Sequence, residues 1–228
     1  MMNGVLLVDK PLKWTSFDVV NYVRKVVAQA EEKKPKHVKV GHTGTLDPMA
    51  TGLLVLLIGK EYTRRAGELS KLDKTYEVTM KLGETSSTGD EEGEKTKVAD
   101  TMPNREEIEQ AMQQFSGEIS QVPPMYSAIK INGQRAYALA RAGKNVEMEQ
   151  RQVQIDRLEL TKYDFPIVSF VCDVSSGTYI RSLVEDIGKV LKTGAYTTEL
   201  CRTKVGKFNL ENACLVDTPN LLGHITDL

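Results

Sequence analysis

Two hydrophobic patterns organise the first quarter of this 228-residue chain. Short apolar runs at residues 4–9 and 53–58 predict strands buried in a core. Between them, apolar residues recur at helical spacing, and a hydroxyl at Thr15 or Ser16 can cap the helix that they predict. The charged stretch at residues 31–36 is typical of an exposed linker. We expect the apolar face of this helix to contain Phe17, Val20, Val23 and Val27.

The remaining sequence predicts further strands and helices in mixed order. Residues 83–101 are rich in Gly, Ser, Thr, Glu and Asp and predict a loop. Because strands and helices interleave without the regular alternation of a doubly wound fold, the predicted class is α+β. Strands are expected at residues 38–40, 75–82, 151–165, 167–174 and 197–205, and helices at residues 105–115 and 180–191, the first capped by Asn104.

Composition places the chain among ordinary globular proteins. Hydrophobic residues make up 40% of it and charged residues 27%, which argues against wholesale disorder and against a membrane protein. The longest apolar run is too short to span a bilayer, and no signal peptide is visible, so we expect a cytoplasmic protein. Three cysteines form no C-x-x-C pair and three histidines show no zinc-binding spacing, which predicts no metal site.

Charge is strongly segregated along the chain, although the net charge is only −1. Residues 1–83 carry 14 Lys/Arg and 9 Asp/Glu, whereas residues 84–118 carry 3 and 10. If the acidic segment lies away from the functional face, the rest can attract nucleic-acid phosphate. An ordinary solvated surface explains the same counts, so charge leaves the two interpretations open.

The segment from Gly41 to Gly52 is the strongest candidate for chemistry. Three glycines and three threonines surround a single carboxylate, Asp47, which is followed by Pro48. Glycine permits unusual backbone angles, and proline favours extended backbone at the residue before it. The pattern therefore fits either a simple Asp-Pro turn or a rigid loop that aims one carboxylate at a substrate.

These twelve residues resemble the G-H-T-G-T/A-L-D-P-x-A-x-G motif of the TruB-type tRNA pseudouridine synthases, with Asp47 at the essential aspartate. Five more segments are similar to motifs of that family and follow in its order, at residues 9–16, 74–78, 123–128, 176–181 and 200–206. Together they cover nearly the whole chain. The resemblance implies the pseudouridine synthase fold, which has a mixed, mostly antiparallel central sheet, flanking helices and a central RNA-binding cleft.

The resemblance also implies a domain plan. Residues 1–208 would form the catalytic domain, with residues 123–150 as an RNA-gripping insertion. Residues 209–228 are then expected to be a short tail, too short for the PUA domain that family members usually carry.

Three catalytic residues are carried over from the family. Asp47 would be the nucleophile, Arg181 its buried counter-charge, and Tyr76 the ring that stacks on the flipped base and helps to remove its C5 proton. From pattern alone, Arg181 could be a surface residue and Tyr76 a core aromatic. No cofactor is expected, because the reaction needs neither a redox partner nor an energy source.

Further residues are expected to bind the RNA. The resemblance implies a polar contact from Tyr179, an apolar wall at Leu200, and a His42 ring that takes the place of the extruded nucleotide. Each could equally be a packing or loop residue. Predicted phosphate contacts are Lys10, Lys130, Arg141 and Arg202.

The function implied is isomerisation of the T-loop uridine of tRNA, position 55, to pseudouridine. We expect the tRNA T-arm as partner, a monomer, no obligatory protein partner and no membrane. Two alternatives stay open at this point: a non-catalytic RNA-binding or RNA-folding protein, and a guide-RNA-dependent synthase of the same superfamily.

Overall fold

The computed structural model describes residues 2–127, 129–131, 133–143 and 148–228. Of Lys130 and Arg141 it describes the backbone alone, so the phosphate contacts predicted for these two side chains lie outside the described residues.

Strands and helices follow one another in mixed order along the chain. The first half contains β1 (Gly4–Lys10), α1 (Ser16–Ala30), β2 (Val40–His42), β3 (Thr51–Ile58), α2 (Lys60–Arg64), α3 (Ala66–Leu69), β4 (Lys74–Leu82), β5 (Glu84–Ser86), β6 (Lys95–Lys97) and α4 (Arg105–Gln113). The second half contains β7 (Gly117–Gln121), β8 (Lys130–Ile131), β9 (Gln134–Arg135), α5 (Ala136–Arg141), β10 (Arg151–Asp164), β11 (Ile167–Val174), α6 (Ile180–Val190), β12 (Ala195–Val205), β13 (Phe208–Asn209) and β14 (Cys214–Leu215).

The chain divides into two compact units. The first comprises Met1–Tyr76 and Cys201–Leu228, and the second Glu77–Leu200. Strands β4 and β12 contribute residues to both.

Parallel and antiparallel strands meet in the first unit. β1 pairs with β3 in antiparallel and with β14 in parallel orientation. β3 pairs with β2 in antiparallel orientation and, at Thr51 and Gly52, with Cys201 and Arg202 of β12 in parallel orientation. This part of the sheet is therefore mixed, as the fold prediction required.

Strands β1 and β3 contain continuous apolar runs because both of their faces pack in a hydrophobic core. Leu6 and Leu54 pack on one side against the valines of α1, and Val5 and Val55 pack on the other side in a separate cluster. Because both faces are covered, neither strand shows the polar alternation of a surface strand. Helix α1 starts at a capping box formed by Thr15 and Asp18.

The second unit is built on antiparallel strands. β10 pairs with β11 along most of its length and with β7 at its start. Alternate residues of β11 are buried, and α6 buries an apolar face that includes Leu183 and Ile187. Two small hairpins, β5–β6 and β8–β9, complete the described strands of this unit.

Comparison with the sequence-based expectations confirms the α+β class and most long elements. Three details differ. Residues 83–101 contain the hairpin β5–β6 instead of only a loop. Phe17, expected on the buried face of α1, is 61% exposed. The predicted tail contains β14, which extends the sheet beside β1. Among the described residues, no helix is long and apolar enough to cross a membrane.

Candidate active site

The backbone around Asp47 is fixed by hydrogen bonds from distant residues of the first unit. Buried Ser16 donates its hydroxyl to the Leu46 carbonyl at 3.1 Å and accepts the Leu46 amide at 2.8 Å. The Lys13 amide donates to the Pro48 carbonyl at 2.8 Å. The residues on both sides of Asp47 are therefore anchored, while Asp47 itself is half-buried.

Arg202 lies beneath the same segment and is only 1% exposed. Its Nε donates to the Leu53 carbonyl at 2.8 Å and its Nη2 to the Gly44 carbonyl at 3.1 Å. This position corrects the predicted phosphate contact, because the guanidinium has almost no surface to offer to RNA. Arg202 instead ties the backbone on both sides of Asp47, at Gly44 and Leu53, to β12.

Lys10 is fully buried and, like Arg202, binds backbone carbonyl groups around the Asp47 segment. Its Nζ donates to the carbonyls of Trp14 at 2.6 Å, Pro11 at 3.0 Å and Pro48 at 3.4 Å. Burial lowers the pKa of Lys10 to about 8, Arg202 adds to that effect, and the Asp47 carboxylate opposes it. The phosphate contact predicted for Lys10 is corrected for the same reason as that of Arg202.

His42 ends strand β2 and is half-buried. Burial lowers its pKa, the Arg202 cation lowers it further, and a backbone hydrogen bond with Gly44 acts in the opposite direction. A lowered pKa favours the neutral imidazole near pH 7, which suits a ring that stacks more than one that delivers protons. The stacking role remains a prediction.

Tyr76 and Leu200 lie on the strands that the sequence predicted for them. Tyr76 is buried on β4, where alternate residues face inward, and Leu200 is buried on β12. These positions fit the ring and the apolar wall of the expected base pocket, but they fit packing roles equally well. Their contacts with RNA stay predictions.

Arg181 is a buried cation in the first turn of α6, with 4% exposure. Its Nη1 donates to the Thr88 carbonyl at 2.9 Å and its Nη2 to the Tyr126 carbonyl at 2.7 Å. The same Nη1 lies 3.5 Å from Oδ2 of buried Asp90. These contacts rule out the surface interpretation of Arg181. The pairing with Asp47 expected from the family stays a prediction.

Asp90 is a buried partner of Arg181 that the sequence analysis missed. Its Oδ1 accepts hydrogen bonds from the Thr88 hydroxyl and, at 3.1 Å, from the Glu92 amide. These bonds orient the carboxylate so that Oδ2 faces Arg181. In sequence it belongs to a hydrophilic stretch, where Gly89-Asp90 resembles an ordinary turn. No local signal separates it from its exposed acidic neighbours.

Tyr179 directly precedes α6 and is half-buried. Its backbone is held by Gln121, a second residue that the sequence analysis passed over. Tyr179 and Arg181 are thus presented from the same helical turn.

Comparison with known proteins identifies the family. Residues 31–180 match the model of the TruB family pseudouridylate synthase (N terminal domain). Residues 181–226 match the model of the tRNA pseudouridylate synthase B C-terminal domain.

Curated relatives carry the name tRNA pseudouridine synthase B. The protein from Burkholderia lata is 47% identical over 220 residues, which cover 95% of this chain and 65% of that protein. The protein from Chlamydia abortus is 40% identical over 223 residues, which cover 96% of this chain and 91% of that protein. The chain thus spans less than two thirds of one relative and most of the other.

Solved structures support the fold. A chain in the crystal structure of a Cbf5-Nop10-Gar1 complex is similar with a TM-score of 0.68 and 29% identity, covering 93% of this chain and 52% of that chain. An H/ACA RNP bound to a substrate RNA containing 2'-deoxyuridine gives a TM-score of 0.69 and 26% identity, covering 98% and 58%. The predicted fold and the isomerase class of the family are confirmed, and the chain belongs to the TruB family of pseudouridylate synthases.

Proposed function

We propose that this chain isomerises uridine to pseudouridine in tRNA, and that its target is the T-loop uridine at position 55. The observation that carries the proposal is a carboxylate, Asp47, on a backbone fixed by Ser16, Lys10 and Arg202. Such anchoring fits catalysis, because a reacting group must be held close to its productive geometry. Relatives named tRNA pseudouridine synthase B support the choice of tRNA.

The reaction breaks the bond between C1′ and N1 of the uridine and joins C1′ to C5 of the same base. The proton on C5 is lost and N1 gains one, so no redox partner is consumed. Asp47 would act as the nucleophile, either on C1′ or by addition to the uracil ring. Both routes need the carboxylate in its ionised form.

The target base has to leave its stack before Asp47 can reach it, at a cost of a few kcal/mol. Tyr76 would stack on the flipped base and help to remove the C5 proton, and Tyr179 and Leu200 would complete the pocket. Arg181 would supply positive charge to Asp47, while Asp90 holds the guanidinium in place.

Phosphate contacts have to come from exposed cations. Lys33, Lys34, Lys36 and Lys39 are exposed between α1 and strand β2, and they contribute to the basic character of residues 1–83. We propose that the chain binds the T-arm as a cytoplasmic monomer without an obligatory protein partner.

The test is pseudouridine mapping on an unmodified tRNA transcript incubated with the wild-type chain or with Asp47→Ala. Asp100→Ala serves as the matched control, because Asp100 is an exposed carboxylate paired only with Lys97 in the described ion pairs. We expect conversion of one T-loop uridine by the wild type and by the control, and none by Asp47→Ala.

Conversion of another uridine would refute the position, and full activity of Asp47→Ala would refute the nucleophile. Binding of the transcript without conversion would favour the non-catalytic RNA-binding alternative. Conversion that appears only when a guide RNA is added would favour the guide-dependent alternative.

A further inference from the structure

Gln121, at the end of β7, is 2% exposed, and its side-chain amide binds both the carbonyl and the amide group of Tyr179. Its Nε2 donates to the Tyr179 carbonyl at 3.0 Å, and its Oε1 accepts the Tyr179 amide at 2.8 Å. A primary amide is suited to this, because it offers a donor and an acceptor side by side.

This pairing occurs where α6 begins. Tyr179 is the N-cap of α6, but its side chain makes no capping hydrogen bond. The next link comes from buried Ser182, which donates its hydroxyl to the Val122 carbonyl at 2.9 Å. Three hydrogen bonds therefore join the end of β7 to the first turn of α6, within the second unit.

The N-cap and the first turn of α6 each carry one residue with a proposed role in the reaction. Tyr179 is one of them, and Arg181 follows two residues later. A shift at the start of the helix would move both side chains together. Displacement of a reacting constellation by about 1 Å can reduce turnover by about a hundredfold.

We propose that Gln121 is a positioning residue for the isomerase reaction, which clamps the backbone of Tyr179 and thereby fixes the positions of Tyr179 and Arg181 at the start of α6. This inference rests on the proposed function. Gln121 does not need to touch the RNA, so its loss should lower kcat and leave tRNA binding almost unchanged.

Two variants separate clamping from simple packing. Gln121→Met keeps the size of the side chain but loses both hydrogen bonds. Gln121→Glu reproduces the amide only when it is protonated, because a neutral carboxyl group can donate to the Tyr179 carbonyl and accept its amide, whereas a carboxylate only accepts. Burial raises the pKa of such a carboxyl group, which brings its titration toward the working range of the enzyme. Gln110→Met on the exposed side of α4 is the matched control.

We expect kcat of Gln121→Met to fall between about tenfold and about a hundredfold, with KM and tRNA affinity within about twofold of wild type. The kcat of Gln121→Glu relative to wild type should rise as the pH is lowered from about 8 to about 5.5. Amide exchange at Tyr179 should be faster in Gln121→Met than in wild type, whether or not the enzyme turns over.

Wild-type kcat in Gln121→Met would overturn the proposal. A relative kcat of Gln121→Glu that does not change with pH would also overturn it, even if Gln121→Met fails to fold. Absence of turnover in the wild type would refute the proposed function instead, and amide exchange at Tyr179 would then decide the clamp by itself.

Discussion

Gly52 closes the Asp47 segment at a point where two strands approach very closely. Its φ is +95°, and a Cβ at this position would lie 2.8 Å from the Arg202 amide nitrogen and 2.9 Å from Sγ of Cys201, in collision with the Arg202 carbonyl oxygen as well. Gly52 and Arg202 are direct partners in the parallel β3–β12 ladder. Backbone atoms of a paired strand cannot rotate away, so Gly52→Ala has to push the strands apart.

Two costs add up in this variant. A positive φ costs a residue with a Cβ about 1–2 kcal/mol, and overpacking of a filled site costs about 1–3 kcal/mol. We therefore expect Gly52→Ala to lower the free energy of unfolding by about 2–5 kcal/mol. For a chain of this length, each kcal/mol corresponds to about 2–4 °C in Tm.

Activity should fall further than stability explains. Arg202 holds the Gly44 and Leu53 carbonyls, so displacement of its backbone is transmitted to the segment that carries Asp47. We expect kcat of the folded fraction to drop at least about tenfold.

Thermal and urea unfolding, together with single-turnover pseudouridine formation below the Tm, would measure both effects. Gly67→Ala is the control, because a Cβ at this exposed position on α3 would meet nothing within 4 Å apart from its chain neighbours and the backbone of its own helix. Removing a helical glycine should stabilise the chain by about 0.5–1 kcal/mol. Equal stability of Gly52→Ala and wild type would refute the steric reasoning.

Two further predictions concern buried charges. Asp90→Asn removes the negative charge beside Arg181 but keeps the shape of the side chain, and we expect kcat to fall between about tenfold and about a hundredfold. The exposed variant Asp100→Asn is the control and should leave kcat unchanged. An unchanged kcat in Asp90→Asn would contradict a role for the Asp90–Arg181 pair. Burial lowers the pKa of Lys10 from 10.5 to about 8. Between about pH 8 and 10.5 the unfolded chain therefore binds more protons than the folded chain, and the free energy of unfolding rises with pH by about 3 kcal/mol. Urea titrations at pH 8 and 10.5 should show a smaller rise in the free energy of unfolding for Lys10→Met than for the wild type. The rise that remains is due to Lys74, whose pKa is also lowered to about 8. An identical rise in Lys10→Met and the wild type would contradict the role of Lys10.

Local signals explain which parts of the fold could be predicted. The apolar runs of β1 and β3 are buried on both faces, and Thr15 with Asp18 forms the cap that the sequence of α1 indicated. Such elements depend on neighbours within a few residues, so their pattern is visible in the chain itself.

Tertiary contacts explain the failures. Lys10 and Arg202 carry the charge typical of surface residues, yet both are buried because they bond carbonyl groups, some of them far away in sequence, such as Pro48 for Lys10 and Leu53 for Arg202. Asp90 is buried because a guanidinium lies beside it, contributed by a helix that begins about ninety residues later. No periodicity records partners of that kind.

The resemblance to the TruB family could indicate the motif residues but not what holds them. Gln121 lies outside the segments that resemble the family, and Ser16 lies inside one of them, but both act through the backbone of a distant residue, so neither role is visible in the sequence. Only the fold shows that each one supports a segment with a proposed catalytic residue.

The two hydrogen bonds between Ser16 and Leu46 link the stability of α1 to the segment that carries Asp47. Ser16 belongs to the first turn of α1, whose valines form part of the main core cluster of the first unit. We therefore expect solvent exchange of the Leu46 amide to be coupled to an opening that detaches the start of α1. We therefore expect the helix and the segment to unfold as one foldon, so that inactivation by heat coincides with cooperative unfolding and has no earlier local step.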